Sequence, residues 1–598
     1  MKRLDFILHP SSFILFLFLL SCASTAPKPR MLKLEDLTLE EKIGQMFAGA
    51  GHALFTNESG WRYRDLMHQV RDNKVGGLTW FVSNVRETAF LTKQLQNAAR
   101  VPLLISADLE AGIGMRLIDT TYWPTAMAVA ATGEPKFAEE LGRITAREAK
   151  VLGINHIFAP VADVNVNPDN PVINARSYGE DPREVSKFVA AFIRGVQGEG
   201  VLATAKHFPG HGDTHVDSHR SLPVLDVDRA RLDRVELIPF RAAIEADVAS
   251  VMIGHLAVPA IDPTPAGTRS VAESVHENPY ATPEGELTRN GAVPATLSKI
   301  IIEDLLRGEL GFKGLVVSDA FDMGGLVAHY EAGEAAVLGI LAGEDQILKS
   351  PNIDRAIEAV KEAVQSGRIP ESRIDESVRR ILDAKSRVSF AVGTQEEVFR
   401  VLDSQQHRDK SDEIATRALT LLREEPGLMP LGKGKGVVIL TVSDFDEVGN
   451  PLPAFAREVN RRLENVAPVF LLDSRSQADE IVPFLHAARN AEVVLLALAV
   501  RARSGAGHMA LPQVALDAIA QLPPRVKVAG ISFGSPYVLR HLPALQTYFA
   551  AYGIQPVMQQ ASVRALFGET AVTGRLPVTI PGMHARGEGI QKALTVNR

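Results

Sequence analysis

Cysteine is nearly absent: the 598 residues contain one, Cys22. A single thiol closes no internal disulfide and supplies neither a zinc finger nor a cysteine-ligated cluster, so core packing must hold the fold. Positive charge is not in excess. Lys and Arg number 64 against 71 Asp and Glu, a formal net charge of −7, which argues against a dedicated nucleic-acid binder. The apolar run at 13–20 falls short of the ~20 residues that span a bilayer as a helix. What remains is ordinary for a soluble globular protein, with 46% hydrophobic and 23% charged residues. The length calls for two domains, one of them large.

Lys2 and Arg3 precede the apolar run, and no further charge follows Asp5 until Lys28. A basic start before a short apolar stretch reads as an export signal. Leu19-Leu20-Ser21-Cys22 resembles a bacterial lipobox, so residues 1–21 are expected to leave as a lipoprotein-type signal peptide and Cys22 to carry the lipid. The alternative is an ordinary signal peptide with a cysteine near its cleavage site. Residues 22–34 then form a tether. The expected location is the bacterial cell envelope, with the protein exported and anchored in a membrane.

From about residue 40, eight short apolar segments alternate with amphipathic ones: 43–48, 75–81, 101–107, 154–164, 201–206, 248–255, 314–319 and 345–348. Such alternation indicates βαβ units and a parallel sheet. The count of eight favours a (β/α)₈ TIM-type barrel over 35–392 rather than an open doubly wound sheet. Residues 259–294, rich in Pro, Thr, Glu and Asn, read as an insertion after the sixth strand. A polar stretch, 393–412, is expected as a linker. Strand patterns at 437–442, 468–472, 493–499 and 526–533 then mark a smaller α/β sandwich domain over 413–598. No phosphate-binding loop is present, and no cofactor is expected.

Chemistry gathers where strands end. The fifth strand runs into a segment, 206–219, in which His207, His211, His215 and His219 recur every four residues. On a helix they would share a face and invite zinc. Pro209, Gly210 and Gly212 oppose a helix, so a loop is expected and no metal site. In a loop, Asp217-Ser218-His219 suggests a carboxylate that orients an imidazole, a group suited to moving protons near neutral pH. After the seventh strand, Asp319 is either a nucleophile toward carbon or a helix cap, and Asp322 is expected to cap the next helix. After the third strand, Asp108 and Glu110 share a face. Hydrogen bonding to substrate hydroxyls fits them, with a solvated strand end as the alternative for Glu110. After the fourth, Arg176 offers a planar fork of donors, and Asp181-Pro182 reads as a helix cap and first residue.

Segments 206–219, 174–182 and 318–323 together resemble glycoside hydrolase family 3, and more closely its β-N-acetylglucosaminidase branch. That branch carries the Lys-His-Phe-Pro-Gly-His-Gly-Asp-Thr segment ending in Asp-Ser-His that stands here at 206–219. Leu566-Phe567-Gly568-Glu569 and Gly574-Arg575-Leu576-Pro577-Val578 resemble the closing segment of the family's second domain. The resemblance implies Asp319 as nucleophile, and His219 held by Asp217 as acid/base. It implies that Asp108, Arg176, Lys206 and His207 bind the sugar. The family's usual Asp-Gln-Glu-Gly-Gly-Arg is replaced by Asp108-Leu109-Glu110-Ala111-Gly112-Ile113, and Arg116 is expected to compensate. Gly343-Glu344-Asp345 likewise departs from a usual Gly-Ala-Asp.

The implied activity is a retaining, exo-acting hydrolase that removes terminal β-linked N-acetylglucosamine, with peptidoglycan fragments as a candidate source. Alternatives within the family are a phosphorylase, since a neutral imidazole repels an anionic acceptor less than a carboxylate does, and a β-glucosidase. An alternative of another class is a non-catalytic envelope lipoprotein that binds carbohydrate. The expected partners are a carbohydrate and, through Cys22, a membrane, but no nucleic acid.

Overall fold

The computed structural model describes residues 32–269, 291–446, 448–502 and 509–594. Cys22, the signal segment and the core of the insertion lie outside these residues. Eight parallel strands close into a barrel in sequential order: β1 (Phe47–Gly51), β2 (Gly77–Trp80), β3 (Leu104–Ala107), β4 (His156–Ile157), β5 (Leu202–Phe208), β6 (Ser250–Ile253), β7 (Leu315–Ala320) and β8 (Gln346–Leu348). β8 pairs back onto β1 through Phe47 with Ile347 and Ala48 with Leu348. The strands are short and apolar and, except at the outer ends of β1 and β7, wholly buried, as a sheet covered by helices requires.

Two strand boundaries differ from the sequence reading. Residues 43–45 end a helix, α1 (Leu39–Gln45), because Thr38 and Glu41 form a reciprocal capping box that starts it, and β1 begins later. The long fourth candidate keeps only His156–Ile157 as strand. Pro160 has no N–H to give a ladder, and the chain beyond turns into the loops above the barrel. Helix α3 (Pro182–Gln197) starts as expected, with Asp181 accepting from the N–H groups of Arg183 and Glu184 and Pro182 in the first turn. α2 is the short helix Ala126–Ala131, and α4 (Glu371–Ser386) closes the barrel unit.

The segment expected as a linker is helical. Within 393–412, Thr394 caps α5 (Gln395–Val401) and Ser404 caps α6 (Gln405–Ala418), so two helices carry the chain across. The polar residues read as linker are their exposed faces. The end of the expected tether is packed as well: Leu34 opens a 3₁₀ turn, and Leu32 and Leu34 lie against the barrel core.

The second domain is a six-stranded sheet made of β9 (Thr420–Arg423), β10 (Val437–Ser443), β11 (Val469–Leu472), β12 (Val493–Ala499), β13 (Lys527–Ser532) and β14 (Thr547–Ala550), in the order 9-14-13-12-10-11. All pairs are parallel except β9 with β14. Two four-residue strands, β9 and β14, were not anticipated from the sequence. The domains share side chains. Met127, Ala128 and Ala131 of α2 pack in the second domain's core. Thr125 donates to the Tyr552 carbonyl at 3.1 Å, Asn165 to the Tyr537 hydroxyl at 3.0 Å, and Thr579 to Glu180 at 2.6 Å.

Candidate active site

A cavity of about 1220 Å³ opens at the C-terminal ends of the barrel strands, with the second domain as its far wall. In barrels this end collects reactive groups because eight strands deliver their following residues to one place. Asp108, Arg116, Arg176, Lys206, His207, His219 and Asp319 all line it. Asp217 stands behind His219, and Cys22 lies outside the described residues.

The charged floor of the cavity is an ion network. Lys206, only 2% exposed, donates to Asp108 Oδ1 at 2.7 Å and lies 2.7 Å from Glu110 Oε1. Arg116 pairs with the other oxygen of Asp108 and packs its guanidinium over the Phe81 ring at 5.4 Å. Arg176 meets Glu110 with two parallel hydrogen bonds, 2.9 and 2.8 Å. Burial alone would raise both carboxyls, but Lys206 and Arg116 hold Asp108, and Arg176 and Lys206 hold Glu110, below the usual carboxylate range. Burial works against the charge on Lys206 too, but the two carboxylates raise its pKa. Glu110 meets Arg176 and Lys206 with both oxygens and so orients these two cations in the cavity floor.

Two histidines are held by carboxylates. His207 Nδ1 lies 2.8 Å from Asp163 Oδ2, which leaves Nε2 for a ligand. Asp163 is fully buried and also accepts from the backbone N–H of His207 and of His211. His219 Nδ1 lies 2.8 Å from Asp217 Oδ1, and the same oxygen accepts the His219 backbone N–H at 2.9 Å. Asp217 is buried while the His219 side chain is 31% exposed, so the dyad presents its imidazole and hides its carboxylate. His211 is structural: it bonds Thr214 at 2.7 Å and Ser218 at 3.1 Å, and burial pushes its pKa down to about 4. His215 lies 3.1 Å from Asn167. The four imidazole rings thus have different hydrogen-bond partners, as a loop allows and one helix face would not.

Asp319 is the penultimate residue of β7, with its Oδ1 accepting from the Ala320 N–H at 2.8 Å. Burial would raise its pKa, but the nearby imidazoles of His207, His255 and His219 lower it. The dyad loop is stitched to the loop beyond Asp319. Gly324 donates to the His219 carbonyl at 3.1 Å and Gly325 to the Ser218 carbonyl at 2.9 Å. A Cβ on Gly324 would stand 2.7 Å from the His219 carbonyl oxygen, so only glycine permits this approach. Asp322 does not cap a helix. It pairs with Lys349 at 2.7 Å, and Met323 occupies the cap position of the short helix that follows.

Sequence reasoning missed Asp163, His255 and the second-domain wall. Asp163 was hidden in an apolar segment, where an acid needs a partner and so signals a site. His255 ended an expected strand; it bonds Thr296 at 2.9 Å and the Ala320 carbonyl at 2.8 Å. Phe445, Arg501 and Gln555 reach the cavity from loops far apart in sequence.

Residues 38–384 match the family model described as glycosyl hydrolase family 3 N terminal domain. A β-N-acetylglucosaminidase/β-glucosidase of Cellulomonas fimi is 30% identical over 558 residues, covering 91% of this chain and 94% of the relative. The solved structure of a glycoside hydrolase family 3 β-N-acetylglucosaminidase from Paenibacillus sp. str. FPU-7 superposes with a TM-score of 0.78 at 32% identity, over 94% of this chain and 100% of that one. The solved β-glucoside phosphorylase BglX, bound to 2FGlc, follows at 0.77 and 25%, over 92% of this chain and 95% of that one.

Proposed function

Because this chain belongs to glycosyl hydrolase family 3 and is a glycosidase, we propose that it removes terminal β-linked N-acetylglucosamine with retention of configuration. The observation that carries the reading is that one cavity presents Asp319 together with an imidazole held by a buried carboxylate. His219, as imidazolium, gives its Nε2 proton to the glycosidic oxygen while an Asp319 oxygen attacks the anomeric carbon. The carbon–oxygen bond to the leaving group breaks and a glycosyl ester on Asp319 forms. Asp217 stabilises the imidazolium and fixes the tautomer. His219, now neutral, takes a proton from water. The water oxygen attacks the anomeric carbon, and Asp319 leaves as carboxylate. Asp108, Arg116, Arg176, Lys206 and His207 hold the sugar ring.

The β-N-acetylglucosaminidase named in two of the comparisons supports the acetamido sugar. A panel of aryl β-glycosides that differ only at the 2-position tests it: strong preference for the N-acetylglucosaminide is expected, and equal rates on the glucoside sink it. Phosphorolysis is the second reading, favoured by the neutral imidazole in the second step and by the phosphorylase neighbour. A sugar 1-phosphate formed when phosphate is added would establish it. We further propose peptidoglycan fragments as the substrate source and Cys22 as a lipid attachment point, which mass spectrometry of the mature N-terminus tests.

A further inference from the structure

At the opposite end of the barrel from the cavity, a second recess of about 260 Å³ opens beside the starting ends of β6 and β7. Ala249, Gly314 and Leu315 form its apolar base, and its rim is cationic: Lys313, Arg379, Arg380 and Arg387 face a single carboxylate, Asp383. Arg387 is paired with Asp383 at 3.0 Å, and Arg380 is turned inward to the buried Asp345 at 2.9 Å. Arg379 reaches a carboxylate, Asp375, only at 3.9 Å. Among the described residues Lys313 has no ion pair. Cationic charge at this recess therefore exceeds what the protein neutralises.

The same surface is where the described chain begins. The turn Leu34–Asp36 packs on α4, whose last turns carry the arginines. Along α1, Lys42 pairs with Asp375 of α4 at 2.8 Å, and Gln45 accepts from Lys385 at 2.6 Å. Cys22 stands ten residues before Leu32, a reach of at most roughly 35 Å, while the whole of the 16-residue α4 is about 24 Å long. An anchor at Cys22 thus keeps this end of the barrel within reach of the lipid.

We propose that this end of the barrel rests on an anionic membrane surface, with the phosphate of a phospholipid headgroup in the recess between Lys313 and Arg379. The inference rests on the reading of Cys22 as the anchor, and it makes the active-site mouth face away from the membrane. The whole chain carries −7, so its overall charge repels such a surface and the attraction must be local. Its range is then about one Debye length, roughly 10 Å at 0.1 M salt.

The test uses the full chain with Cys22→Ser, which removes acylation, and compares its partitioning onto phosphatidylcholine vesicles with and without about one third phosphatidylglycerol. A preference for anionic vesicles of at least about tenfold near 0.1 M salt is expected, abolished near 1 M. Lys313→Glu with Arg379→Glu should lose that preference. Equal partitioning onto both vesicle types, or a preference that survives the double reversal, overturns the proposal. So does full competition by millimolar inorganic phosphate, which would make the recess a site for the free ion. Turnover of an aryl glycoside serves as the folding control, and the single exposed variant Lys313→Gln, expected to weaken the preference in part, replaces the double one if that control fails. The anchor is read separately: an unlipidated Cys22 with anionic preference intact removes the anchor and leaves the recess.

Discussion

In the proposed mechanism Asp217 and His219 divide the acid/base task between a buried charge and a half-buried ring. The carboxylate matters only through the imidazole, so its loss should depend on how much acid help the leaving group needs. Asp217→Ala is expected to lower kcat on an N-acetylglucosaminyl disaccharide by about 10²–10⁴, and on a nitrophenyl glycoside by far less. Comparable losses on both substrates would mean that Asp217 only supports the loop. Asp319→Ala should remove turnover on both substrates by something on the order of 10⁴. The pH profile has a definite sign. In the proposed mechanism Asp319 reacts as the anion, and the three imidazoles around it hold its pKa below the ordinary value. The acid limb of kcat/KM should therefore fall below the usual aspartate pKa of about 3.9, and initial rates taken at falling pH locate it. Asp217, His219 and Asp319 were legible as reactive types at strand ends. The hold of Asp163 on His207 was not, because residues 44 apart meet only in the fold.

At the scale of elements, α4 and the strand end at Glu344 carry two buried groups that act on stability. Lys385 on α4 is fully buried, and burial pushes its pKa down to about 7. In the unfolded chain it titrates near 10.4, so between these values the unfolded state binds more protons. Stability from this residue thus rises with pH from about 7 toward 10. Lys385→Met should flatten that rise, read as the difference between variant and parent in denaturant titrations at the two ends of the range. Glu344 has the opposite sign. Burial and the neighbouring Asp345 raise its pKa, so its contribution is present below the unfolded value and is lost as pH climbs through the folded one. Among the described residues neither carboxyl oxygen of Glu344 has a hydrogen-bond partner. Glu344→Met, similar in volume, is expected to stabilise the barrel by about 1–3 kcal/mol in the same titrations. The sequence marked Glu344 as a departure from the family pattern, but its burial without a partner is a property of the packed barrel.

At the scale of the molecule, the second domain completes the cavity instead of merely following the barrel. Phe445, on a loop of that domain, lines the cavity and is partly exposed, so it offers apolar surface to whatever the cavity holds beyond the sugar ring. Phe445→Ala should raise KM for a disaccharide roughly five- to tenfold, the effect of about 1 kcal/mol of lost apolar contact, and should leave a methyl glycoside almost unchanged. Steady-state rates on the two substrates check it. The sequence alone favoured the barrel, since eight apolar segments alternating with amphipathic ones match its strand count, and closure of the sheet then decided it against an open one. It also marked the candidate reactive side chains, because their types and their places after strands are local facts. Only the tertiary structure decided that Glu110 orients cations, that Asp163 holds His207, that 393–412 is helical and that a wall of the site comes from another domain. The physical reason is that such partners are chosen by distance in space, and burial then fixes their charge.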